Sequence, residues 1–599
     1  MTNLEIASLL RTISACLVIQ SENRFKIIAY EKAAESIQHL TESVEDRWKN
    51  GTLKDIPGVG TAIASSLVEI CEKGYSDHFN AILSTVPKSV FPLLEVPGLG
   101  PKRAFILVTR LKLANDKTVF EDLKRAGERH EIASLEGFGE TSEKAILDSI
   151  ELAKKGFIKE ERILLPDAEA IADEVITYLK THAEIGRVDT LGSLRRKNPT
   201  IGDIDIAVTT DEPQKTLEAF VSYPHERRID KGEKGATLVL HSGRQVDLRV
   251  CEKDSYGAML QYFTGSKQHN IALREYAIKK HLSLNEYGIK NAKGNVKKFS
   301  DEKKFYEALG LSYVPPELRE NRGEVESSLR TTQGKPDGLP VLVESTQILG
   351  DLHIHTSYDL SSSHDLGSAT FEEHLKKGVS LGYEYIGIAD HNPSVSIHTP
   401  SEITAIMKKR KEWYEIEYQK FVKKTKSKIC YFLLCEVDIL VDGSLALPDE
   451  AFEYIDAAIV SIHSSFTQES KTATDRVLRA FSEHPKVRIF GHPTGRLLTK
   501  REGIQPVWQT IFSLCKEKNI ALEINASPER LDLPDDLVFE ARKKGVKFVI
   551  NTDSHDLIRM EMMKYGLAVA RRGWCTKHDI LNSHKYPEFA AWLSGKEDI

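Results

Sequence analysis

The chain has 599 residues, which is too long for one hydrophobic core and predicts about three to five domains of ordinary size. Its net charge of −6 argues against a uniformly basic nucleic-acid-binding protein, so DNA contacts would come from local patches and backbone amides. Seven cysteines without a C-x-x-C pair argue against a disulfide framework and a zinc–cysteine site. With no signal-peptide pattern and no membrane-length apolar run in the sequence, we expect a soluble, cytoplasmic protein.

The sequence from 1 to 155 predicts helices and contains a repeated glycine-rich turn. DIPGVG (55–60), EVPGLG (95–100) and LEGFG (135–139) recur at a nearly constant interval, and each precedes a helical stretch. A Gly-x-Gly turn before a helix leaves backbone N–H groups free to bind a phosphate without reading sequence. A single copy would be an ordinary helix-terminal glycine, but three copies resemble helix-hairpin-helix motifs that bind the DNA backbone. The candidate contacts are Gly58, Gly60, Gly98, Gly100 and Lys102.

Residues 191–208, LGSLRRKNPTIGDIDIAV, predict a phosphate-binding turn followed by a metal-binding strand. Asp203 and Asp205 alternate with isoleucines, so the carboxylates share one face of the strand while the isoleucines enter a core. Such a strand alone is more often a solvated acidic strand end. Residues 236–250 read as two further strands that place Asp247 opposite its apolar neighbours. Three carboxylates on neighbouring strands could hold two Mg²⁺ ions for an in-line displacement.

The turn offers donors to a triphosphate. Gly192 and Ser193 supply backbone and hydroxyl hydrogen bonds, and Arg195 or Arg196 supplies counter-charge.

The motifs GSLRR, GDIDI, QVDLR and YFTGSKQHN together resemble the palm and thumb of family X DNA polymerases, the polymerase beta type, over residues 1–320. The resemblance implies that Asp203, Asp205 and Asp247 are the catalytic metal carboxylates. It also implies contacts of Gly192, Ser193 and Arg196 with the triphosphate, of Tyr262, Phe263 and Gly265 with the sugar, and of Asn270 and Arg274 with minor-groove edges. Gln245 stands where vertebrate relatives carry an arginine near the primer terminus.

The first helical unit is similar to the small lyase domain of polymerase beta. Lys26 and Tyr30 match its 5′-phosphate contacts. Ser66, however, occupies the position of the Schiff-base lysine, and a hydroxyl cannot form an imine with an abasic sugar. We therefore predict 5′-phosphate binding without deoxyribose-phosphate lyase activity.

After a charged, proline-containing linker, the chain repeats apolar strands and amphipathic helices. Seven short apolar runs after residue 345 each end in a potential metal ligand, a pattern typical of a βα-barrel with its site at the strand C-terminal ends. A lone histidine would more often be structural, but here many strand ends agree. The candidates are His353, His355, His391, Glu436, His463, His492, Asp553 and His555. Imidazole mixed with carboxylate suits Zn²⁺, Mn²⁺ or Fe²⁺ better than Mg²⁺ alone.

This half resembles a PHP domain, the polymerase and histidinol phosphatase type, in H-x-H, D-H, E-x-D, S-I-H-S, G-H-P-T-G-R and D-S-H, over about 347–590. The resemblance implies a distorted seven-stranded barrel and metal-dependent phosphoester hydrolysis with two or three Mn²⁺ or Zn²⁺ ions. Asp359, His364 or Asp365 could complete the cluster. Arg496 and Arg530 are candidates either for holding a phosphate or for structural ion pairs.

We therefore expect a multidomain α plus α/β protein with a helix-hairpin-helix N-terminal region, a nucleotidyltransferase palm and thumb, and a C-terminal distorted (β/α)7 PHP barrel. The predicted domains are 1–85 (5′-phosphate-binding), 86–158 (helix-hairpin-helix fingers), 159–260 (palm), 261–316 (thumb), 317–346 (linker) and 347–599 (PHP).

Joined on one chain, the two halves resemble a bacterial family X polymerase with a PHP domain. The predicted function is gap filling in DNA repair with dNTPs on gapped or primer-template DNA, with two Mg²⁺ ions in the palm. The barrel would act as a 3′-5′ exonuclease, with abasic-site cleavage as an additional candidate activity, and the protein is expected to be a monomer. A phosphatase acting on a small phosphomonoester and a DNA-end scaffold with idle sites are the alternatives.

Overall fold

The computed structural model describes residues 1–596 apart from 2, 39–43, 57, 95, 97–98, 136–137, 140–142, 144–145, 148–149, 151–161, 226, 241–243, 330–337 and 363. Two compact units are present, Met1–Glu161 with Val239–Gly243, and Arg162–Leu238 with Arg244–Ile599. Within the described residues, no helix combines the length and the apolar character needed to cross a membrane.

The first unit is helical. Leu10, Ile13 and Leu17 recur at helical spacing on the first helix and are fully buried. One hydrophobic cluster extends from Ile6 to Ile150, so the core continues across the predicted boundary at residue 85. The described helices are α1 (Asn3–Ile19), α2 (Arg24–Gln38), α3 (Val44–Lys49), α4 (Thr61–Lys73), α5 (Asp77–Leu83), α6 (Val90–Leu94), α7 (Pro101–Arg110) and α8 (Val119–Glu128).

A five-stranded sheet begins the second unit. Its strand order is β2-β4-β7-β6-β5, with β4 parallel to β7 and antiparallel to β2. Alternation along β4 places Ile204 and Ile206 in the core and leaves Asp205 on the other face. The strands are β1 (Ile163–Leu164), β2 (Val188–Thr190), β3 (Thr200–Ile201), β4 (Ile204–Thr209), β5 (Arg227–Lys231), β6 (Gly235–Val239) and β7 (Gln245–Cys251). The helices are α9 (Leu165–His182), α10 (Gly192–Arg195) and α11 (Pro213–Val221).

The next segment packs helices around a small three-stranded sheet. Phe305 and Tyr306 lie at the centre of its core. A buried ion network joins it to the preceding sheet: Glu302 accepts hydrogen bonds from Arg195 at 2.7 Å and from Arg319 at 2.6 Å. The elements are α12 (Tyr256–Thr264), α13 (Lys267–Ile278), α14 (Glu302–Ala308), α15 (Glu324–Ser327), β8 (Ser283–Asn285), β9 (Gly288–Lys290) and β10 (Val296–Lys297).

The charge-dense segment that was predicted to begin the linker is packed in its described part. Arg319 and Glu324 are fully buried. Glu324 accepts a hydrogen bond from His269 at 2.7 Å, which pairs the charge inside the core instead of leaving it in solvent. Dense charge was part of the pattern that predicted a linker, but charged and polar partners distant in sequence allow such residues to be buried.

The C-terminal region is a parallel barrel. Its strands are nearly continuous apolar runs because both faces are covered. Two sheets, β11-β12-β13 and β14-β15-β16-β17-β18, are joined by parallel bridges at Ile354–Ser554 and His391–Glu436. The strands are β11 (Gly350–Ile354), β12 (Tyr385–Ile388), β13 (Cys430–Leu433), β14 (Cys435–Asp438), β15 (Ala458–Ser461), β16 (Val487–Phe490), β17 (Ala521–Asn525) and β18 (Phe548–Asn551).

Only Leu434 separates β13 from β14, so these two count as one bent strand. The barrel therefore has seven strands, as the sequence predicts. Helices on the outside cover these strands. They are α16 (Phe371–Ser380), α17 (Pro400–Thr425), α18 (Ser470–Glu483), α19 (Trp508–Lys518), α20 (Asp535–Lys543), α21 (Met563–Arg572) and α22 (Tyr586–Leu593).

Candidate active sites

Three carboxylates converge on one face of the five-stranded sheet. Asp205 on β4 is paired in register with Asp247 on β7, and Asp203 immediately precedes β4. Oxygen atoms of all three lie within 4.8 Å of one another. Burial, together with the negative charges of Asp203 and Asp247, raises the pKa of Asp205 to about 7. The cluster therefore repels further negative charge and favours a cation.

Two neutral donors steady the third carboxylate. Gln245 donates its side-chain amide to Asp247 at 2.7 Å, and Thr237 donates its hydroxyl to the other oxygen. Gln245 thus touches the carboxylate cluster directly.

A glycine brings the predicted triphosphate turn against this cluster. Gly192 has φ +55°, and a β-carbon there would lie 2.5 Å from Asp205 Oδ2. Only glycine permits both this backbone conformation and this approach. Ser193 follows at the beginning of α10, whose turn is closed by a hydrogen bond from Asn198 N to Ser193 O at 3.0 Å.

The two arginines of the turn have different partners. Arg195 is committed to the buried ion pair with Glu302. Arg196 donates to Glu320 at 3.0 Å and to the carbonyl of Thr264 at 2.6 Å, and its guanidinium lies beside Gly265. Both arginines lie beside the predicted sugar-binding segment, because Arg195 also donates to the Thr264 hydroxyl at 2.5 Å, but it is the Arg196 guanidinium that adjoins Gly265.

The aromatic pair of that segment, Tyr262 and Phe263, is supported by a hydrogen bond from Asn270. Tyr262 and Phe263 pack edge to face at 5.0 Å between ring centroids. Asn270 donates to the Tyr262 carbonyl at 2.7 Å and accepts from Gln261 at 2.8 Å. Arg274 is exposed and donates to the Asn270 carbonyl at 3.1 Å. Because protein partners occupy the Asn270 amide here, its contact with a groove edge stays a prediction.

A second cluster forms at the C-terminal ends of the barrel strands. All eight predicted ligands converge there: His353, His355, His391, Glu436, His463, His492, Asp553 and His555. Among the described residues their ligand atoms form overlapping groups, each within 4.8 Å, such as His353 with His355, Glu436 and Asp553. Glu436 is central, since its oxygens lie 2.9 Å from His492 Nε2 and 3.1 Å from both His353 Nε2 and His391 Nδ1.

The donor set fits metal ions. Both ring nitrogens of His355, Nε2 of His353, Nδ1 of His391 and Oε2 of Glu436 are buried without a hydrogen-bond partner in the described structure. Buried polar atoms are costly unless something satisfies them, and a metal ion would do so. Nitrogen and carboxylate oxygen together are typical of transition-metal sites.

His364 joins this cluster. It forms a group with His391 and His463 within 4.8 Å, whereas Asp359 and Asp365 are exposed and belong to none of the groups found in the described residues. Its Nε2 contacts Asp438 at 2.9 Å. Of the three sequence candidates for completing the cluster, the geometry thus favours His364.

Two carboxylates that the sequence prediction left out orient the histidines. Glu523 accepts from His353 Nδ1 at 2.7 Å and from the backbone N–H of His492 at 2.7 Å. Asp438 accepts from His463 Nδ1 at 2.6 Å. Such partners fix the tautomer and the orientation of a ligand imidazole. Glu523 could have been found as the one charged residue of the buried strand β17, and Asp438 is the last residue of the E-x-D motif.

Both halves of the chain match known protein families. Residues 259–320 match the DNA polymerase beta thumb, and residues 351–527 match the PHP domain. Residues 1–76 match a helix-hairpin-helix domain, and residues 91–151 match a SAM-like helix-hairpin-helix tandem.

One relative is similar along its whole length. The DNA polymerase/3′-5′ exonuclease PolX of Bacillus subtilis (strain 168) is 31% identical over 597 residues, which cover 98% of this chain and 99% of that protein. The chain belongs to the family X DNA polymerases that carry a PHP domain. DNA polymerase lambda of Rattus norvegicus is 24% identical over 355 residues (53% of this chain, 56% of that protein). A probable phosphatase of Clostridium acetobutylicum is 28% identical over 216 residues (34% of this chain, 78% of that protein).

The hairpin glycines of this family X polymerase differ in their surroundings. Gly60 and Gly100 cap α4 and α7, and a β-carbon at either would meet open space. Gly58 has φ +87°, and a β-carbon there would lie 2.5 Å from the backbone of α2. Gly98 lies outside the described residues. Gly58 is therefore required by backbone geometry, whereas Gly60 and Gly100 leave helix N–H groups accessible.

The side chains predicted to contact a 5′-phosphate have protein partners in this structure. Lys26 is half-buried and pairs with Glu22 at 3.4 Å. Tyr30 belongs to the core, with its hydroxyl 3.3 Å from His78 Nε2. Lys102, a predicted DNA-backbone contact, donates to Ser21 at 3.1 Å, and Ser66, at the position of the Schiff-base lysine, is buried within α4. Binding of a 5′-phosphate by Lys26 and Tyr30, and of the DNA backbone by Lys102, stays a prediction.

The two arginines proposed for phosphate near the family's PHP cluster have separate roles. Arg496 donates to the carbonyls of Arg530 and Leu531 and so supports a loop. Arg530 places Nε 3.6 Å from Asp553 Oδ2, at the edge of the cluster. Arg530 is therefore the better placed of the two to meet a phosphate.

Proposed function

We propose that the chain fills short gaps in DNA as a template-directed polymerase and shortens DNA 3′ ends as a metal-dependent 3′-5′ exonuclease. The observation that carries this proposal is the presence of two metal-ligand clusters on separate elements, one on β4 and β7 and one at the barrel strand ends. The full-length relative is named for both activities.

In the palm, two Mg²⁺ ions held by Asp203, Asp205 and Asp247 would lower the pKa of the primer 3′-hydroxyl and neutralise the triphosphate. The chain's own residues orient the reactants. The Gly192–Ser193 turn presents donors beside Asp205, and Arg196 supplies positive charge near Gly265. This arrangement aligns the α-phosphorus of a dNTP for attack by the 3′-oxygen, with pyrophosphate leaving.

In the barrel, two or three Mn²⁺ or Zn²⁺ ions would generate hydroxide at neutral pH and neutralise a phosphodiester. Glu523 and Asp438 hold the imidazoles of His353 and His463 in the orientation that directs their other nitrogen to the cluster. Arg530 lies at its edge, where a guanidinium can meet a phosphate oxygen.

Similarity to the probable phosphatase supports a second candidate for the barrel site, hydrolysis of a free phosphomonoester. The two candidates differ in substrate. The exonuclease releases nucleotides from a DNA 3′ end, whereas the phosphatase releases phosphate from a small molecule in the absence of DNA.

Primer extension and shortening on a one-nucleotide gapped duplex test the proposal. Asp205→Ala should lower extension by roughly a hundredfold or more and retain shortening, and His355→Ala should do the reverse. Exposed residues provide matched controls: Asp211→Ala, whose carboxylate pairs with Lys253, and His578→Ala should retain both activities.

Loss of both activities in either active-site variant would contradict two independent sites. Absence of extension in the parent would contradict the polymerase assignment, and phosphate release without DNA would favour the phosphatase.

A further inference from the structure

The last helix before the C-terminal turns of the barrel reaches the triphosphate turn of the palm. Arg572, at the end of α21, is buried at 5% exposure. Its Nη1 donates to the backbone carbonyl of Arg196 at 2.9 Å and to Asn198 Oδ1 at 2.6 Å. A barrel residue therefore holds the backbone of the turn that carries Arg196.

The same guanidinium also reaches the side chain of Arg196 through a shared carboxylate. Glu320 Oε1 accepts from Arg572 Nη1 at 2.9 Å and from Arg196 Nε at 3.0 Å. Although burial alone would raise the pKa of Glu320, the charges of Arg572 and Arg196 lower it. Glu320 is thus an ionised bridge between the two arginines.

The other side of Arg572 is anchored within its own domain. Its Nη2 donates to Asp535 Oδ2 at 3.1 Å, and Arg322 donates to the same oxygen at 2.8 Å. Nη1 carries two N–H groups and has three acceptors, so one N–H is shared between two of them, while Nη2 serves Asp535 from the other side of the same planar group. Lysine, with one compact ammonium, cannot reproduce these contacts.

A second contact of α21 lies nearby. Tyr565 donates its hydroxyl to Glu169 at 3.0 Å, and Glu169 accepts from Lys197 at 2.6 Å. Lys197 directly follows Arg196, so α21 has a second, indirect connection to the turn through Glu169.

We propose that Arg572 is a positioning residue for nucleotide binding in the palm, fixing both the backbone and the side chain of Arg196 where the dNTP triphosphate binds. This inference rests on the proposed polymerase function. It makes a residue of the hydrolytic domain part of the support of the synthetic site, so nucleotide affinity depends on the docked barrel.

The neighbouring residue provides the matched control. Arg571 lies on the same helix and is also largely buried, but its partners are Glu317 at 2.9 Å, Glu344 at 2.8 Å and the Val343 carbonyl. Removing it weakens the same helix without touching the Arg196 turn.

The test compares Arg572→Lys with Arg571→Lys, and Arg572→Met with Arg571→Met, in the full chain. Three quantities are measured: the Kd of a dNTP for the complex with a dideoxy-terminated primer, KM and kcat for filling a one-nucleotide gap, and shortening of a 3′ end. Arg572→Lys keeps a positive charge between Glu320 and Asp535. Its nucleotide affinity can therefore be measured even if the methionine variant unfolds.

Arg572→Lys should raise the Kd and KM for dNTP about tenfold, as loss of charge-assisted hydrogen bonds predicts, with a smaller change in kcat. Arg571→Lys should remain within about twofold of the parent for the same constants, since its bonds lie elsewhere. Shortening should be retained in both. Equal nucleotide affinity in the two lysine variants would overturn the inference, as would a parallel loss of synthesis and shortening. A parent that binds dNTP but cannot extend a primer would instead overturn the proposed function.

Discussion

Replacing Glu523 with glutamine should weaken metal binding at the barrel site while leaving DNA synthesis unchanged. The carboxylate accepts four hydrogen bonds. Oε1 receives His353 Nδ1 at 2.7 Å and Asn551 at 2.9 Å, and Oε2 receives the His492 backbone N–H at 2.7 Å and Asn525 at 3.1 Å. A glutamine has one acceptor oxygen, so two donors must face its NH2 group.

The size of the effect follows from this count. With the amide nitrogen toward His353, the imidazole must move its proton to Nε2 and can no longer ligate. With the oxygen toward His353, the His492 backbone loses its acceptor. Either arrangement loses at least one charge-assisted bond, worth about 1.5–3 kcal/mol. Metal affinity should therefore fall about 10- to 100-fold.

Equilibrium dialysis against Mn²⁺ with metal analysis, together with the Mn²⁺ dependence of 3′ shortening, measures this effect. Asp351→Asn is the control, because Asp351, on β11, is also a buried carboxylate and accepts hydrogen bonds from the backbone N–H groups of Thr552 and His353. An asparagine there can keep its oxygen toward those two N–H groups and donate its amide to the Thr552 hydroxyl, so a neutral amide is tolerated. Unchanged Mn²⁺ affinity in Glu523→Gln, or an equal loss in Asp351→Asn, would refute the reasoning.

Three further outcomes are expected. Although burial opposes it, the two arginine partners of Glu302 lower its pKa from 4.5 to about 2, so Glu302→Gln should cost about 3 kcal/mol of unfolding free energy. The same stabilisation should be lost in the parent as the pH falls from 4.5 toward about 2; thermal scans against pH check both, and an unchanged Tm would contradict them. Gly58→Ala should lower the Tm of the helical unit, whereas Gly60→Ala, where a β-carbon meets open space, should change it little. Since Ser66 cannot form an imine, borohydride should trap no adduct between this domain and a 5′-abasic DNA end.

Local sequence pattern was sufficient for the fold class, for the three palm carboxylates and for eight of the barrel residues that lie together. Alternation places Asp203 and Asp205 on one face of a strand in any sheet that buries the isoleucines. Likewise, a polar residue at the end of an apolar βα strand lies at the same barrel edge as its counterparts. Both rules depend on a few neighbouring residues, which is why the eight candidate ligands of the barrel could be named without coordinates.

Partner choice between distant charges could not be predicted in this way. Arg195 and Arg196 are adjacent and chemically identical, yet they pair with different carboxylates. Arg195 donates to Glu302, whereas Arg196 and the barrel residue Arg572 both donate to Glu320. His364, Asp359 and Asp365 are likewise indistinguishable by spacing alone. Only the loop's path places His364 against the cluster.

The sequence by itself determined the order of the domains, the two sets of candidate ligands and the kind of chemistry each set supports. The tertiary structure decided which charged side chains are consumed in ion pairs, which orient a ligand, and which join the barrel to the triphosphate turn. The physical reason is the distance in sequence between the residues that interact. Periodicity and strand-end chemistry are local, whereas a buried charge is stable only beside a partner that the folded chain brings from far away in sequence.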